Sequence, residues 1–477
     1  MNVIVSNNRQ MRVLTSKVLL TFSLVLFFVA SGFSKDDVTI NLKGFGFAKF
    51  GRVQHTSDTL DLNFNGNWME SASAQVAAFV NINEHWDGVL GVGAAQIHKM
   101  QGRPIDSKQL SMEIQSYIAQ ANFTYTMDDR EAPKLQYTMG YFPYNYNPDV
   151  KNLGLYLLRG PVYPGCLISG FETKETMPIA NILGARIHSN FGSYTQDVII
   201  SSEVDYRPYL DYSLAYIGQY QFGDNTFKLG AGFNLYHLIP ISSKVTIPDL
   251  DFLEEPTPIN PDNIHPYDGT YYYVDPETGD TIQPTNQGVK LTAFFSFDFR
   301  QMLGIDGMEK NDLKLYGEVA VIGLKNYKWI YEEISERIPV MVGFNFPAFG
   351  FMDHIALEVE WYGAKYRNDL EELTEDASPI PRSNAQADRE ITYGGDSLSF
   401  ASINYPNEDP LYLNNMMKDN WKWSLHGAKT IGDHLRISGQ IANDHFRPTG
   451  SGSTNSYFTA FSTLADWYWM VKLAYYF

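Results

Sequence analysis

Cysteine is almost missing from this 477-residue chain: Cys166 is the sole example, so no intramolecular disulfide can staple the fold. Beyond the N-terminal segment no run of roughly eighteen apolar residues occurs, which excludes helical membrane spans. Nucleophile elbows, zinc-ligand spacings and phosphate-binding glycine loops are missing from the contexts they need. Gly44-Phe45-Gly46-Phe47 lacks the third glycine and the following helix of a nucleotide site. The ten histidines are scattered, and His426 reads as a polar wall residue rather than a base. No enzyme activity, cofactor, metal site or nucleic-acid partner is expected. Basic residues are also few in the long polar stretches, and the formal net charge is −18.

Aromatics, by contrast, make up 14% of the chain, with 31 Tyr and 30 Phe, and glycine is frequent at 37. Mean hydropathy is slightly negative, which alone would suggest a water-soluble protein. A membrane β-barrel evades that test, because only every second strand residue meets lipid. The final eleven residues, W-Y-W-M-V-K-L-A-Y-Y-F, alternate in this way. Trp467, Trp469, Val471, Leu473, Tyr475 and Phe477 share one face, and Tyr468, Met470, Lys472, Ala474 and Tyr476 the other.

This segment resembles the closing strand of Gram-negative outer-membrane β-barrels, in which a terminal Phe is part of the signal read by the barrel-assembly machinery. The resemblance implies that role for Phe477. At the other end, Arg9, Arg12 and Lys17 precede an apolar run from Val18 to Ala30 and the small residues Ser31, Gly32 and Ser34. That pattern is expected to be a secretory signal peptide over residues 1–34, cleaved to leave one domain over 35–477. No Cys stands at the cleavage site, so a lipoprotein anchor is not expected.

Period-2 alternation marks about sixteen strands between Val38 and Phe477. Their connections alternate between short and long, and both termini fall on the short side. Such sorting predicts an all-β fold, a transmembrane antiparallel β-barrel of about sixteen strands with short periplasmic turns and long extracellular loops. A soluble sandwich has no reason to sort its loops by parity. The same reading places the protein in the outer membrane of a Gram-negative bacterium, in contact with outer-membrane lipid and lipopolysaccharide.

About sixteen strands enclose a water-filled lumen unless something plugs it. Charge on the lipid face costs roughly 2–4 kcal/mol for Arg or Lys near the midplane, so charged strand residues are expected inside. Lys290, Asp298, Arg300, Lys314, Glu318, Glu358, Glu360, Lys422, Arg436 and Lys472 are the lumen-facing candidates, a set of mixed sign. For any one of them a wall-bracing ion pair is as good a reading as contact with solute.

Residues 143–180 are the candidate constriction. Within them 152–170 reads N-L-G-L-Y-L-L-R-G-P-V-Y-P-G-C-L-I-S-G, too apolar for a loop in water and too broken by Gly and Pro for a long strand. In position this resembles the third extracellular loop of general porins, which implies an eyelet near Arg159, Glu172, Lys174 and Glu175. The acidic Pro-Glu-Phe-Gly-Gly motif of some porin families is missing, so only the position carries over. An extracellular lid or a partner contact is the alternative. Cys166 reads as a small buried residue.

Residues 240–288 and 366–420 form acidic extracellular loops. Nine Asp or Glu stand against one Lys between Lys244 and Gly288, broken by several prolines. Such segments read first as solvated tips. Tyr267, Tyr271, Tyr272 and Tyr273 suit carbohydrate contact or, more simply, packing of the loop on itself. The expected function is a porin-like channel for passive diffusion of small hydrophilic solutes, weakly cation-selective through its acidic mouth. A non-transporting barrel, acting as an adhesin or as an anchor in a secretion or surface-attachment complex, is the alternative. The trimeric habit of general porins leaves a homotrimer open.

Overall fold

A computed structural model of the chain describes residues 38–56, 65–66, 68–98, 112–128, 133–158, 162, 180–204, 210–223, 226–241, 273–274, 281–282, 287–305, 307–309, 311–326, 333–364, 390–393, 396–399, 419–445 and 464–477. Sixteen strands close into one antiparallel barrel. In chain order they are β1 (Thr39–His55), β2 (Trp68–Asn81), β3 (Trp86–His98), β4 (Met112–Thr126), β5 (Leu135–Tyr144), β6 (Ala180–Asn190), β7 (Tyr194–Ser202) and β8 (Tyr212–Phe222). There follow β9 (Phe227–Ile239), β10 (Gly288–Asp298), β11 (Lys314–Ile322), β12 (Val340–Phe346), β13 (His354–Ala364), β14 (Asp419–Ile431), β15 (Leu435–Asn443) and β16 (Trp467–Tyr476).

Every strand pairs with its sequence neighbours, and β16 closes on β1 from Phe45↔Tyr476 to His55↔Trp467, with an irregularity between Val53 and His55. Beyond β16, Gly44 and Phe477 exchange both backbone hydrogen bonds at 2.9 Å. The seam thus extends to the last residue described. Closure matters because hydrocarbon offers no partner to an unpaired strand edge.

The two faces invert the pattern of a water-soluble protein. Along β13 the alternate residues Ala356, Glu358, Glu360 and Tyr362 are fully buried, while Val359 between them is exposed. Leu425, Ile437, Ile441, Leu473 and Val342 are likewise exposed, and Lys422, Ser438, Gln440, Lys472 and Met341 buried. Polar side chains therefore occupy the interior parity and aliphatic ones the exterior.

Aromatic rings concentrate at both ends of that apolar belt. At the short-turn end Trp86, Tyr125 and Tyr137 are in ring contact, as are Tyr220, Phe222, Phe227, Phe297 and Phe299 in succession. At the other end Phe50 and Trp68 each meet Trp469 edge-on at 5.8 Å. These are the positions of interfacial aromatic girdles.

Alternation in the sequence predicts Phe227 to Ile239 for β9, Val289 to Arg300 for β10 and Leu435 to Asn443 for β15; β9 and β15 hold these bounds, and two differences are informative. The alternation extends β10 to Arg300, but the strand ends at Asp298. Its carboxylate accepts the Gln301 N–H at 2.8 Å and starts a short helix, α1 (Phe299–Leu303), closed by Gly304 at φ +61°. Arg300 is thereby removed from the inner face and lies 3.8 Å from Asp298 in α1. Second, two short hairpins, Tyr273–Val274 with Thr281–Ile282 and Glu390–Tyr393 with Asp396–Ser399, stand in the acidic connections.

Gly51 tests the seam. A Cβ there would lie 2.3 Å from the Trp469 carbonyl and 3.0 Å from the Met470 Cα, both backbone atoms of β16, whereas a Cβ on Gly46 would meet nothing nearer than 3.6 Å. Gly51→Val is expected to destabilise the barrel by about 1–3 kcal/mol, the usual range for forced overpacking. Gly46→Ala should stay close to wild type. Urea unfolding of the two variants in lipid vesicles checks the difference.

Candidate functional site on the inner wall

Two glutamates, on strands that flank β12, organise the interior. Glu318 on β11 and Glu358 on β13 are 2% and 0% exposed, far too buried for a carboxylate without partners. Their partners come from the segment after β5. Glu358 accepts backbone N–H groups from Lys151 (2.6 Å), Asn152 (2.7 Å) and Leu153 (2.6 Å), and the Tyr316 hydroxyl at 3.0 Å. Glu318 accepts from the N–H groups of Leu155 (2.9 Å) and Tyr156 (3.1 Å), the Tyr146 hydroxyl (2.6 Å) and Thr292 Oγ1 (2.9 Å).

Local sequence explains why this segment offers so many donors on one side. N-Y-N-P-D-V-K-N-L-G cannot continue a strand past Pro148, and Asn145 accepts the Asn147 N–H at 2.9 Å in a tight Asx turn. Gly154 (φ +81°) and Leu155 (φ +63°) then bend the backbone so that successive amides converge on a carboxylate, a nest for an anion. A left-handed leucine costs about 1–2 kcal/mol, which charge-assisted bonds to Glu318 offset. The side chains of Val150, Leu153, Leu155, Tyr156 and Leu157 pack into one buried cluster with Phe294, Tyr316, Ile322, Met341 and Tyr362 of the wall.

Further pins spread along the wall. Lys314 Nζ donates to Asp149 at 3.0 Å, and Asn152 Nδ2 to Asp444 at 2.7 Å. Burial pushes the Asp149 carboxyl up, but the Lys314 charge and hydrogen bonds from Ser296 and Lys314 hold it below the usual carboxylate range. Lys290 Nζ donates to the Tyr156 carbonyl at 3.2 Å and lies over the Tyr236 ring at 5.6 Å. The segment therefore touches β9, β10, β11, β13 and the residues after β15, but leaves β16 and β1 to β4 unlined by its described part.

Among the other lumen-facing candidates, Asp298 caps α1, Glu360 bonds the His445 ring, and Lys422 reaches Asn443 Oδ1 at 3.5 Å. Arg436 stands in register between Thr430 and Ala474, and Lys472 between Ser438 and Lys49. Arg159, Glu172, Lys174, Glu175 and Cys166 lie outside the described residues, as do Tyr267, Tyr271 and Tyr272 and the side chain of Tyr273. Sequence reasoning passed over Tyr146, Asp149, Asn152 and Asp444, which only long-range contacts bring to the wall. It also passed over Lys49, whose parity within F-G-F-A-K-F was readable.

No protein-family model matches the chain, and no curated protein matches it in sequence. Among solved structures it is similar to porin of Rh. blastica. A form with three substitutions is 8% identical, covering 92% of this chain and 100% of that one, with a TM-score of 0.41. Another substituted form is 9% identical with the same coverage and a TM-score of 0.40. Identity this low transfers no residue-level role. By strand number and closure the chain is a porin-like β-barrel.

Glu358→Gln replaces one acceptor oxygen by an NH2 group facing backbone donors. Leaving such donors unmet costs about 1–3 kcal/mol. Hydrogen exchange at the Lys151, Asn152 and Leu153 amides is expected to rise by about tenfold or more, with strand amides unchanged. Exchange mass spectrometry of the folded barrel in detergent reads it.

Proposed function

We propose that the protein is an outer-membrane channel through which small hydrophilic solutes diffuse, with the segment over 145–158 reducing the aperture. The observation that carries this reading is the inverted barrel: an exposed apolar belt between aromatic girdles, and an interior parity rich in Lys, Glu, Gln and Ser. Such a wall gains nothing from facing lipid and is suited to water and polar solutes. Glu318 and Glu358 act as positioning residues, since each holds backbone rather than solute.

On this reading the free passage runs beside β16 and β1 to β4, which the described part of the segment does not line. Ser71, Ser73, Ala77, Gly91, Gly93 and Ala95 share the interior register of β2 and β3 with Gln75 and Phe79. Arg159, Glu172, Lys174 and Glu175 continue the same segment and are proposed to border the aperture. The net charge of −18 and the acidic long connections support a weak cation preference at the entrance. Lipid and lipopolysaccharide surround the barrel, and the barrel-assembly machinery reads Phe477 during biogenesis.

Liposome swelling with neutral sugars of rising size, together with the sign of the reversal potential in a salt gradient, tests the proposal. Rapid swelling with monosaccharides that falls off steeply for larger sugars, and a weakly cation-selective potential, are expected. Folded, inserted protein that passes no sugar would favour the anchor or adhesin role instead.

A further inference from the structure

The outer face of the barrel carries a groove of about 670 Å³ at the short-turn end of β3 to β6. One register row of its wall is Trp86, Tyr125, Tyr137 and Ile187, and the next row toward the middle of the strands contains Met139 and Ala185. Trp86, Tyr137, Met139 and Ile187 are exposed on the exterior parity, so the groove opens on the apolar belt and is continuous with it. Its volume lies in the range of about 300–1,000 Å³ common for sites that hold small molecules. The surface inside it is almost wholly apolar.

One row nearer the turns, the same face becomes polar. Leu135 pairs with Ser189, Ser189 with Gln196, and Gln196 with Gly218. Gln196 shares the exterior parity of β7 with exposed Ile200, and Tyr216 that of β8 with exposed Tyr220. The Tyr216 hydroxyl donates to Gln196 Oε1 at 3.0 Å and is hydrogen-bonded to the Tyr194 hydroxyl. With the Tyr216 proton on Gln196, the Tyr194 hydroxyl is the donor to Tyr216. The Gln196 amide nitrogen makes no hydrogen bond among the described residues and keeps both of its N–H donors.

Gly218 permits this convergence: a Cβ there would lie 2.6 Å from the Tyr194 hydroxyl oxygen and 3.3 Å from that of Tyr216. On β9 and β12 the exterior residue third from the short turn is Leu229 or Phe344, whereas on β7 it is Gln196. A primary amide on a lipid-facing strand is costly unless it meets an acceptor.

Apolar space toward the midplane and a polar cluster toward the water, on one continuous face, is the order of parts in a membrane phospholipid. We infer that this face binds one phospholipid of the leaflet at the short-turn end, with an acyl chain in the groove and ester or phosphate oxygens accepting from the Gln196 amide. The inference rests on the membrane reading of the barrel and is independent of whether the lumen conducts.

Native mass spectrometry of the folded, full-length barrel, released from detergent after addition of dioleoylphosphatidylglycerol or dioleoylphosphatidylethanolamine, tests it. A first adduct that saturates at one lipid per chain, well before further adducts appear, is expected. Gln196→Leu removes the amide at similar size and should weaken that adduct by about fivefold or more, the scale of one lost hydrogen bond. Ala185→Phe fills the groove and should weaken it as well, whereas Val342→Phe, on the exterior of β12, should leave it unchanged. Two separate variants keep the test decisive if one of them fails to fold.

Adducts that accumulate without a distinct first site overturn the inference, and so does a first adduct insensitive to both Gln196→Leu and Ala185→Phe. Insertion into vesicles of the same lipids separates this failure from that of the membrane reading. A barrel that inserts but holds no distinct lipid removes the site alone, and one that never inserts removes both.

Discussion

Closure of the strand ladder is the constraint on which everything else depends. In hydrocarbon each unmet backbone group costs several kcal/mol, so a sheet that spans lipid must end where it began. Here β16 returns to β1, and the seam runs on through the paired Gly44 and Phe477. Once the ladder is closed, parity sorts the side chains. Aliphatic residues must face out, and the charges have nowhere to go but the interior.

The interior then poses its own problem, because an isolated buried carboxylate is expensive. Glu318 and Glu358 are accommodated by backbone amides of a segment that has left the sheet. The exchange is mutual: the segment has donors with no strand to meet, and the wall has two carboxylates that are buried. Lys314 with Asp149 and Asn152 with Asp444 add bonds of the same kind. The clustered side chains of Leu153, Leu155, Tyr156 and Leu157 make the arrangement one packed unit rather than a set of separate contacts.

Much of this was legible in the sequence because barrel strands carry a period-2 signal that survives low overall hydropathy. β9 and β15 can be read off residue by residue, and Lys290, Lys314, Glu358 and Lys422 are placed by parity alone. What parity cannot supply is the partner. Glu318 and Leu155 are separated by 163 positions, so nothing local announces that one holds the other. At the end of β10 Arg300 keeps the alternation going, and only the capping geometry of Asp298 reveals the helix. Lys49 and Lys472 show the same limit: each is inward by parity, but their pairing exists only once the closing register is known.

The central claim is that the segment over 145–158 stands inside an open, membrane-spanning barrel and limits its aperture. Single-channel conductance in planar bilayers, comparing the wild type with a chain in which residues 148–158 are replaced by a short Gly/Ser link, tests it most directly. The account predicts discrete, stable steps for the wild type and clearly larger steps for the shortened chain. Correctly inserted barrels that are silent in both forms, or that conduct equally, would contradict it.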